Sequence, residues 1–394
     1  MMADRWGLDP KIVFLNHGSF GAVPLPVRAE QSRIRELLEA EPVRFFERRY
    51  QPLLDRARAA LAGIVGAPPE DLVFVANATT GVNTVLRSLD LRAGDELLTT
   101  NHEYNACRNA LEAVAESVGA TVRVADVPYP LASEDEVLEA VLGCVTPRTR
   151  ILLVDHVTSQ TALVLPLARL VREAQFSGVD VLVDGAHAPG MIDLDLASLG
   201  AAYYTGNCHK WLCAPKGAAF LYVREDLRSK IRPLVISHGA NASAARRSRF
   251  HLEHDWTGTR DPSAWLCVPT AIATLEGMVE GGWPEVRQRN HALALTARES
   301  LCTVLGVDPG CPDSMIGSMA TVALPDSDGG EKKDAFSRDV LQDDLYRKWS
   351  IEIPVIPWPS PPQRLLRLSA QLYNSQAQYE YLAEALAESL RISS

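Results

Sequence analysis

Two short stretches carry residue types whose spacing could do chemistry. The first is Tyr203-Tyr204-Thr205-Gly206-Asn207-Cys208-His209-Lys210-Trp211, which reads as a strand, a tight turn and a lysine beside a histidine. The second is Val181-Leu182-Val183-Asp184-Gly185-Ala186-His187-Ala188-Pro189-Gly190, an apolar strand that ends in an aspartate. A lysine amine forms an imine that a substrate amine later displaces. A carboxylate beside a pyridine nitrogen favours its protonated form, because an opposite charge within a few Å stabilises the charged state. A Lys-plus-Asp pair of this kind marks sites for pyridoxal 5'-phosphate (PLP). We therefore expect Lys210 to carry PLP and Asp184 to hold the proton on its ring nitrogen. Taken singly, a lysine after a strand is an ordinary surface residue and Asp-Gly an ordinary turn.

These residues need a scaffold, and the chain alternates strands and helices to supply one. Strands are expected at 71–75, 96–99, 121–127, 150–157, 179–184, 201–204 and 218–223. Helices are expected near 78–89, 105–118, 134–142 and 166–176. This alternation implies parallel β-α units in an α/β sheet, where ligands gather at the carboxyl ends of strands. Thr79, Tyr104, Ser159, Asp184, His187 and Lys210 all follow an expected strand. Asn77-Ala78-Thr79-Thr80-Gly81 is a small-residue turn opening a helix, where free backbone N–H groups suit a phosphate; the same residues also read as a plain N-cap.

Around this series the pattern differs. Residues 12–24 run from an apolar strand into a Gly-rich turn with Asn16 and His17 at its end. Residues 26–65 look helical, broken at Glu41-Pro42. Residues 238–262 are expected to be irregular, and long irregular segments in compact enzymes are usually functional or interfacial. Helices over 263–279 and 283–304 follow, then strands at 319–324, 351–356 and 365–368, a polar loop at 325–334, and helices at 336–349 and 375–390. The division expected is an N-terminal arm at 1–25, a large PLP-binding α/β domain at 26–270 and a small α+β C-terminal domain at 271–394.

Composition narrows the class. The chain has 394 residues, 47% hydrophobic and 22% charged, which suits a globular enzyme with a large core. Its formal charge of −10 comes without a basic run beyond Arg246-Arg247-Ser248-Arg249, so binding to nucleic acid or to an anionic membrane is not expected. Seven cysteines, an odd number without Cys-x-x-Cys, suggest neither a disulfide framework nor a zinc knuckle. With no apolar segment at its start, the chain is expected to be cytoplasmic.

From Leu15-Asn16-His17-Gly18-Ser19-Phe20-Gly21 almost to the C-terminus, the sequence resembles the fold-type I PLP enzymes of the class V aminotransferase group, and most closely their isopenicillin N epimerase branch. The resemblance is carried by Asp184–Gly190, His209-Lys210-Trp211-Leu212, Glu253–Asp261 and Leu366–Tyr373. It implies that Lys210 is the Schiff-base lysine and Asp184 the partner of the pyridinium nitrogen. His187 matches a contact to the ring's 3-oxygen, and Tyr104 an aromatic or histidine position that stacks on the ring. Ala78, Thr79, Asn207 and His209 match phosphate-binding positions. Thr259 matches a threonine that reaches the phosphate of the neighbouring subunit, which implies a homodimer with a shared active site. Arg367 matches the clamp for the α-carboxylate of an amino-acid substrate; Asn16 and His17 would lie near that substrate. No metal is implied.

The reaction expected is epimerisation or racemisation at Cα, with His17 and Tyr104 as candidates for the second acid. The alternatives are carbon–sulfur β-elimination, of the cysteine-conjugate sulfoxide lyase type, or transamination. A non-catalytic protein of the same fold is the reading from another class, and the intact set of Lys210, Asp184, His187 and Arg367 argues against it. Related cysteine desulfurases need a cysteine shortly before the position of Arg367, and 349–363 contains none. His156 is expected to pack at a strand end, and Cys208 to be structural.

Overall fold

The computed structural model describes residues 2–245, 247–327 and 338–390. The loop expected at 325–334 and the start of the helix expected at 336 lie partly outside these residues, as does Arg246.

Twelve strands are present among the described residues: β1 (Val13–Phe14), β2 (Leu72–Val75), β3 (Glu96–Thr100), β4 (Thr121–Ala125), β5 (Thr149–Asp155), β6 (Asp180–Asp184), β7 (Tyr203–Asn207), β8 (Ala219–Val223), β9 (Met319–Leu324), β10 (Ile351–Glu352), β11 (Val355–Pro357) and β12 (Arg364–Ser369). Seven form one sheet in the order β2-β8-β7-β6-β5-β3-β4. β7, β6, β5, β3 and β4 are mutually parallel, whereas β8 runs antiparallel to both β7 and β2. The α/β class is thus a mixed, mostly parallel sheet. The exception lies at β7–β8, where the loop 208–218 returns the chain without a crossover helix.

The central strands are apolar runs because both faces of the sheet are covered. Alternate residues feed two cores. Leu98, Leu152, Val154, Val181 and Val183 pack with Leu170 and Ala174 of the helix Leu167–Phe176. Leu97, Ile151, Leu153, Leu182 and Tyr203 pack on the other side with Cys107, Leu111 and Val114 of the helix Asn105–Val118. In that helix Cys107, Ala110, Leu111, Val114 and Ala115 are the buried residues, a stripe at i, i+3, i+4, i+7 and i+8. Gly119 ends it in the left-handed region.

The C-terminal strands form a separate antiparallel sheet in the order β11-β12-β9, and β10 pairs in parallel with β1. The N-terminal arm is therefore stitched to the C-terminal part: Ser369 donates its N–H to the Leu15 carbonyl at 3.1 Å, and Gly18 donates to Ser369 Oγ at 3.1 Å. A boundary at 270 falls inside the helix Val268–Glu276, which packs on the helix Tyr50–Val65.

Several expectations are corrected. The strand expected at 201–204 is Tyr203–Asn207, so Gly206 lies in the strand and not in a turn. A Cβ at Gly206 would stand 2.7 Å from Pro189 Cγ, so that strand position admits only glycine without rearrangement. The segment 238–262 is not wholly irregular: Arg249–Asp255 is a helix capped by Ser248, with Phe250, His251, Glu253, His254 and Asp255 buried. The strand expected at 351–356 is two strands in different sheets, β10 and β11. No described helix is long and apolar enough to cross a membrane.

Candidate active site

The site gathers at the carboxyl ends of β3, β5, β6 and β7, the edge where open α/β sheets place their ligands. β6 delivers Asp184 and the turn after it delivers His187. The loop after β7 delivers His209 and Lys210, and the turn after β3 delivers Tyr104.

Lys210 Nζ lies 2.9 Å from His187 Nε2. Burial pulls the amine down to about 8, and the Arg367 guanidinium pushes the same way, against the acids Asp184 and Asp155. His187 is held well below the ordinary histidine range, by burial and then by Lys210 and Arg367, so its ring is neutral. Its Nδ1 is buried with no hydrogen-bond partner among the described residues.

Asp184 is 1% exposed. Its Oδ1 accepts the Ala186 N–H at 2.9 Å and its Oδ2 accepts the Cys107 thiol at 3.0 Å. Burial raises its pKa; the two donors and the Lys210 cation work against that.

The helix Ala78–Leu86 points its N-terminus at this edge. Asn77 caps it by accepting from Thr80 N–H at 2.8 Å. The helix sits hard on β7: a Cβ on Gly81 would stand 2.1 Å from Thr205 Oγ1. The Ala78 N–H is already donated to Asn207 Oδ1 at 2.9 Å, which ties the helix start to the end of β7. The Thr79 N–H has no partner among the described residues. His209 donates Nδ1–H to the Ala218 carbonyl at 3.0 Å, and its pKa falls to about 4 through burial.

Arg367 comes from the sequence-distant β12 and is 4% exposed. It donates to the Ser159 carbonyl at 2.5 Å, to Ser19 Oγ at 2.9 Å and to Asn16 Oδ1 at 3.5 Å. Its Nε has no partner among the described residues. No carboxylate pairs with it among the described residues, and burial lowers its pKa to about 10. A buried guanidinium without an acid is costly unless an anion completes it.

Asn16 also donates to Glu352 Oε1 at 3.3 Å, so it bridges the arm, β10 and Arg367. His17 is placed otherwise than expected. It is fully buried; its Nε2–H donates to the Lys210 carbonyl at 3.0 Å and its Nδ1 accepts the Tyr373 hydroxyl at 2.9 Å. Its ring packs 4.8 Å from that of Trp211 and its pKa falls to about 3 through burial. Both nitrogens are used inside the protein, so His17 holds the lysine loop. Gly21 adds to this: with φ of 69°, its Cβ position lies 2.1 Å from the His209 carbonyl oxygen.

Tyr104 is 43% exposed, and burial of its remainder with the nearby Asp184 charge raises its pKa, so the phenol stays protonated. Thr259 is exposed and has no hydrogen bond to the other residues named. His156 accepts from or donates to Tyr204 Oη at 2.9 Å, a packing role at the strand end. Cys208 is fully buried.

Sequence reasoning passed over Glu103, Cys107 and Asp155. Glu103 and Asp155 are buried, and each has a carboxylate oxygen without a partner among the described residues. Position after an expected strand was the available signal for Glu103; Asp155 lies inside the strand expected at 150–157 and is the direct neighbour of Asp184 in the β5–β6 register.

The fold and this edge agree with what comparison finds. The aminotransferase class-V family profile matches residues 43–329. The chain belongs to the aminotransferase class-V family. It is 40% identical to isopenicillin N epimerase of Amycolatopsis lactamdurans, over 98% of this chain and 99% of that protein. It is 31% identical to the putative L-cysteine desulfhydrase 2 of Oryza sativa subsp. japonica, over 96% of this chain and 85% of the relative. Its fold matches a solved structure of a C-DES mutant, in which glycine is covalently linked to the PLP cofactor, with a TM-score of 0.80 at 21% identity, covering 96% of this chain and 97% of that one.

Proposed function

We propose that this protein is a PLP-dependent epimerase or racemase acting at Cα of an amino-acid substrate. The observation that carries it is the Lys210 amine, lowered to about 8 and 2.9 Å from His187, on the same strand edge as the buried Asp184. The 40% identity to an isopenicillin N epimerase supports the reaction type.

The residues fit the cofactor. His187 has a buried, unpartnered Nδ1, the helix Ala78–Leu86 opens with a free Thr79 N–H for a phosphate, and Asp184 offers a buried carboxylate. PLP, when bound, withdraws electrons and stabilises a carbanion at the substrate's Cα. Lys210 would hold its aldehyde, Asp184 its ring nitrogen, His187 its 3-oxygen and Tyr104 its ring face. Thr79, Asn207 and His209 would stand around its phosphate, with Ala78 fixed to Asn207.

The chain's own groups then have distinct tasks. Arg367, lacking an acid, takes the substrate α-carboxylate in a bidentate pair. Asn16 and Ser19 orient it. Lys210 Nζ would take the Cα proton as general base, since an amine near neutrality is suited to that. Epimerisation needs a second group on the opposite face. With both nitrogens of His17 engaged, Tyr104 is left for that task, as a protonated phenol.

The enzyme acts as a homodimer in this reading, Thr259 reaching the partner's phosphate. The exposure of Thr259 supports this, as does that of Phe20 at 73%, Val235 at 55% and Ile236 at 58%. Seven unpaired cysteines support a cytoplasmic setting.

The second reading is a carbon–sulfur lyase, favoured by the 31% identity to a putative L-cysteine desulfhydrase. Proton NMR in heavy water separates the two, with the PLP-loaded protein and a panel of amino acids and cysteine conjugates. Loss of the Cα proton with the other stereoisomer formed is the expected result. A keto acid and free thiol without epimer would overturn epimerisation in favour of the lyase.

A further inference from the structure

Behind Asp184 stand two residues that the reaction above does not use, Glu103 and Cys107. Ligand atoms of Glu103, Cys107 and Asp184 lie within 4.8 Å of one another, and all three residues are buried. They come from three elements: the turn after β3, the helix Asn105–Val118 and the end of β6. Cys107 donates its thiol to Asp184 Oδ2. Glu103 is 4% exposed; its Oε2 has a long 3.4 Å contact from Thr99 Oγ1, the Tyr104 backbone N–H stands beside its carboxyl, and its Oε1 has no partner among the described residues. Asp155, the neighbour of Asp184 across β5 and β6, also has an Oδ2 without a partner among the described residues.

We propose that Glu103 and Cys107 are positioning residues for Asp184: an uncharged carboxylic acid and a thiol that keep the cluster's single negative charge on the aspartate. This rests on the cofactor reading, since that charge is what a ring nitrogen would meet. Carboxylates packed within a few Å do not all ionise. Asp184 accepts from a backbone N–H and a thiol, one on each oxygen, whereas one carboxylate oxygen of Glu103 and one of Asp155 have no partner among the described residues, so the charge settles on Asp184. The groups facing Glu103 are Asp184 on β6, Asp155 on β5, Thr99 on β3, and Tyr104, Cys107 and Arg108 at the start of the following helix. Arg108 is the cation among them, and it is committed to Glu112 at 2.7 Å. Burial and then the Asp184 charge hold Glu103 well above the carboxylate range. Burial, with Asp184 and Glu103 beside it, pushes the Cys107 thiol far up, which keeps it protonated as a donor to Asp184.

The test begins with apoprotein. In the wild type the unfolded chain ionises Glu103 above a pH of about 4.3 and the folded chain does not. Folding therefore loses stability as pH rises from that value towards the raised folded pKa. E103Q removes this loss. The unfolding midpoint of E103Q relative to wild type is expected to rise between pH 5 and pH 8. An equal gap at both pH values would mean that Glu103 is ionised in the fold, and would overturn the proposal. If E103Q does not fold, E103L serves the same comparison.

For Cys107, PLP affinity is measured by absorbance titration. C107A is expected to bind about tenfold more weakly, the scale of one hydrogen bond to a charge, and C107S to recover it. Equal affinity in all three proteins, or equal loss in both variants, would remove Cys107 from the role. Zinc bound stoichiometrically to purified protein, and lost from C107A, would overturn the proposal in favour of a metal site. A wild type that gains no visible band with PLP would refute the cofactor reading alone, since the stability comparison stands without cofactor.

Discussion

His17 donates its Nε2–H to the carbonyl oxygen of Lys210 at 3.0 Å, across 193 residues of chain. The N-terminal arm thus fixes the backbone of the reactive lysine. The contact is reinforced by Tyr373 on the other ring nitrogen and by Trp211 against the ring face. His17→Ala is expected to lower stability by about 1–3 kcal/mol, since a buried carbonyl and a buried hydroxyl each lose a partner. Urea unfolding of the apoprotein measures it. PLP loading is expected to slow in the same variant.

The lysine amine sets a pH dependence. With Lys210 at about 8, its neutral, nucleophilic fraction grows as pH rises through that value. The rate at which apoprotein captures PLP, followed by its visible absorbance, is expected to rise about tenfold per pH unit below 8 and to level off above it. A profile flat from pH 6 to 9 would refute the lowered amine. Lys210→Ala is expected to show no such band and no turnover.

Asp184→Asn removes the charge and keeps the shape. Turnover is expected to fall by about 10²–10³-fold, the scale on which removal of one preorganised electrostatic partner acts, while covalent capture of PLP survives. Steady-state kinetics and the absorbance band, taken together, check both halves.

Arg367→Ala is expected to raise KM by about 10–100-fold, the worth of hydrogen bonds to a charged group. Arg367→Lys should recover little of it, because an ammonium lacks the bidentate fork. An amino-acid amide, without an α-carboxylate, is expected to show little difference between wild type and variant.

Several buried histidines are neutral in the fold: His17 is lowered to about 3, and His102, His156, His209, His251 and His254 to about 4, all chiefly by burial. Their folded values lie below the unfolded value of about 6.5. Stability is therefore full above that pH and is lost as pH falls from 6.5 towards 4, while the unfolded chain alone takes up protons. Denaturation midpoints at pH 7 and pH 5 are expected to show a clear drop.

The sequence by itself determined the alternation of elements, since apolar runs of strand length and amphipathic stripes follow from local periodicity. It also determined that Asp184 ends a strand and that His187 and Lys210 follow strand ends, and in a parallel sheet all those ends lie on one edge. It misjudged Gly206, where close packing against Pro189 and not a turn demands glycine. It also missed the helix Arg249–Asp255, whose burial comes from distant partners such as Arg58 and Leu72. Tertiary structure alone decided which face of His17 is used, that Arg367 reaches Ser159 across 208 residues, and that Glu103 and Cys107 stand behind Asp184. The physical reason is the same in each case: a side chain's hydrogen-bond partners, and so its charge, depend on segments far away in sequence, which local pattern does not encode.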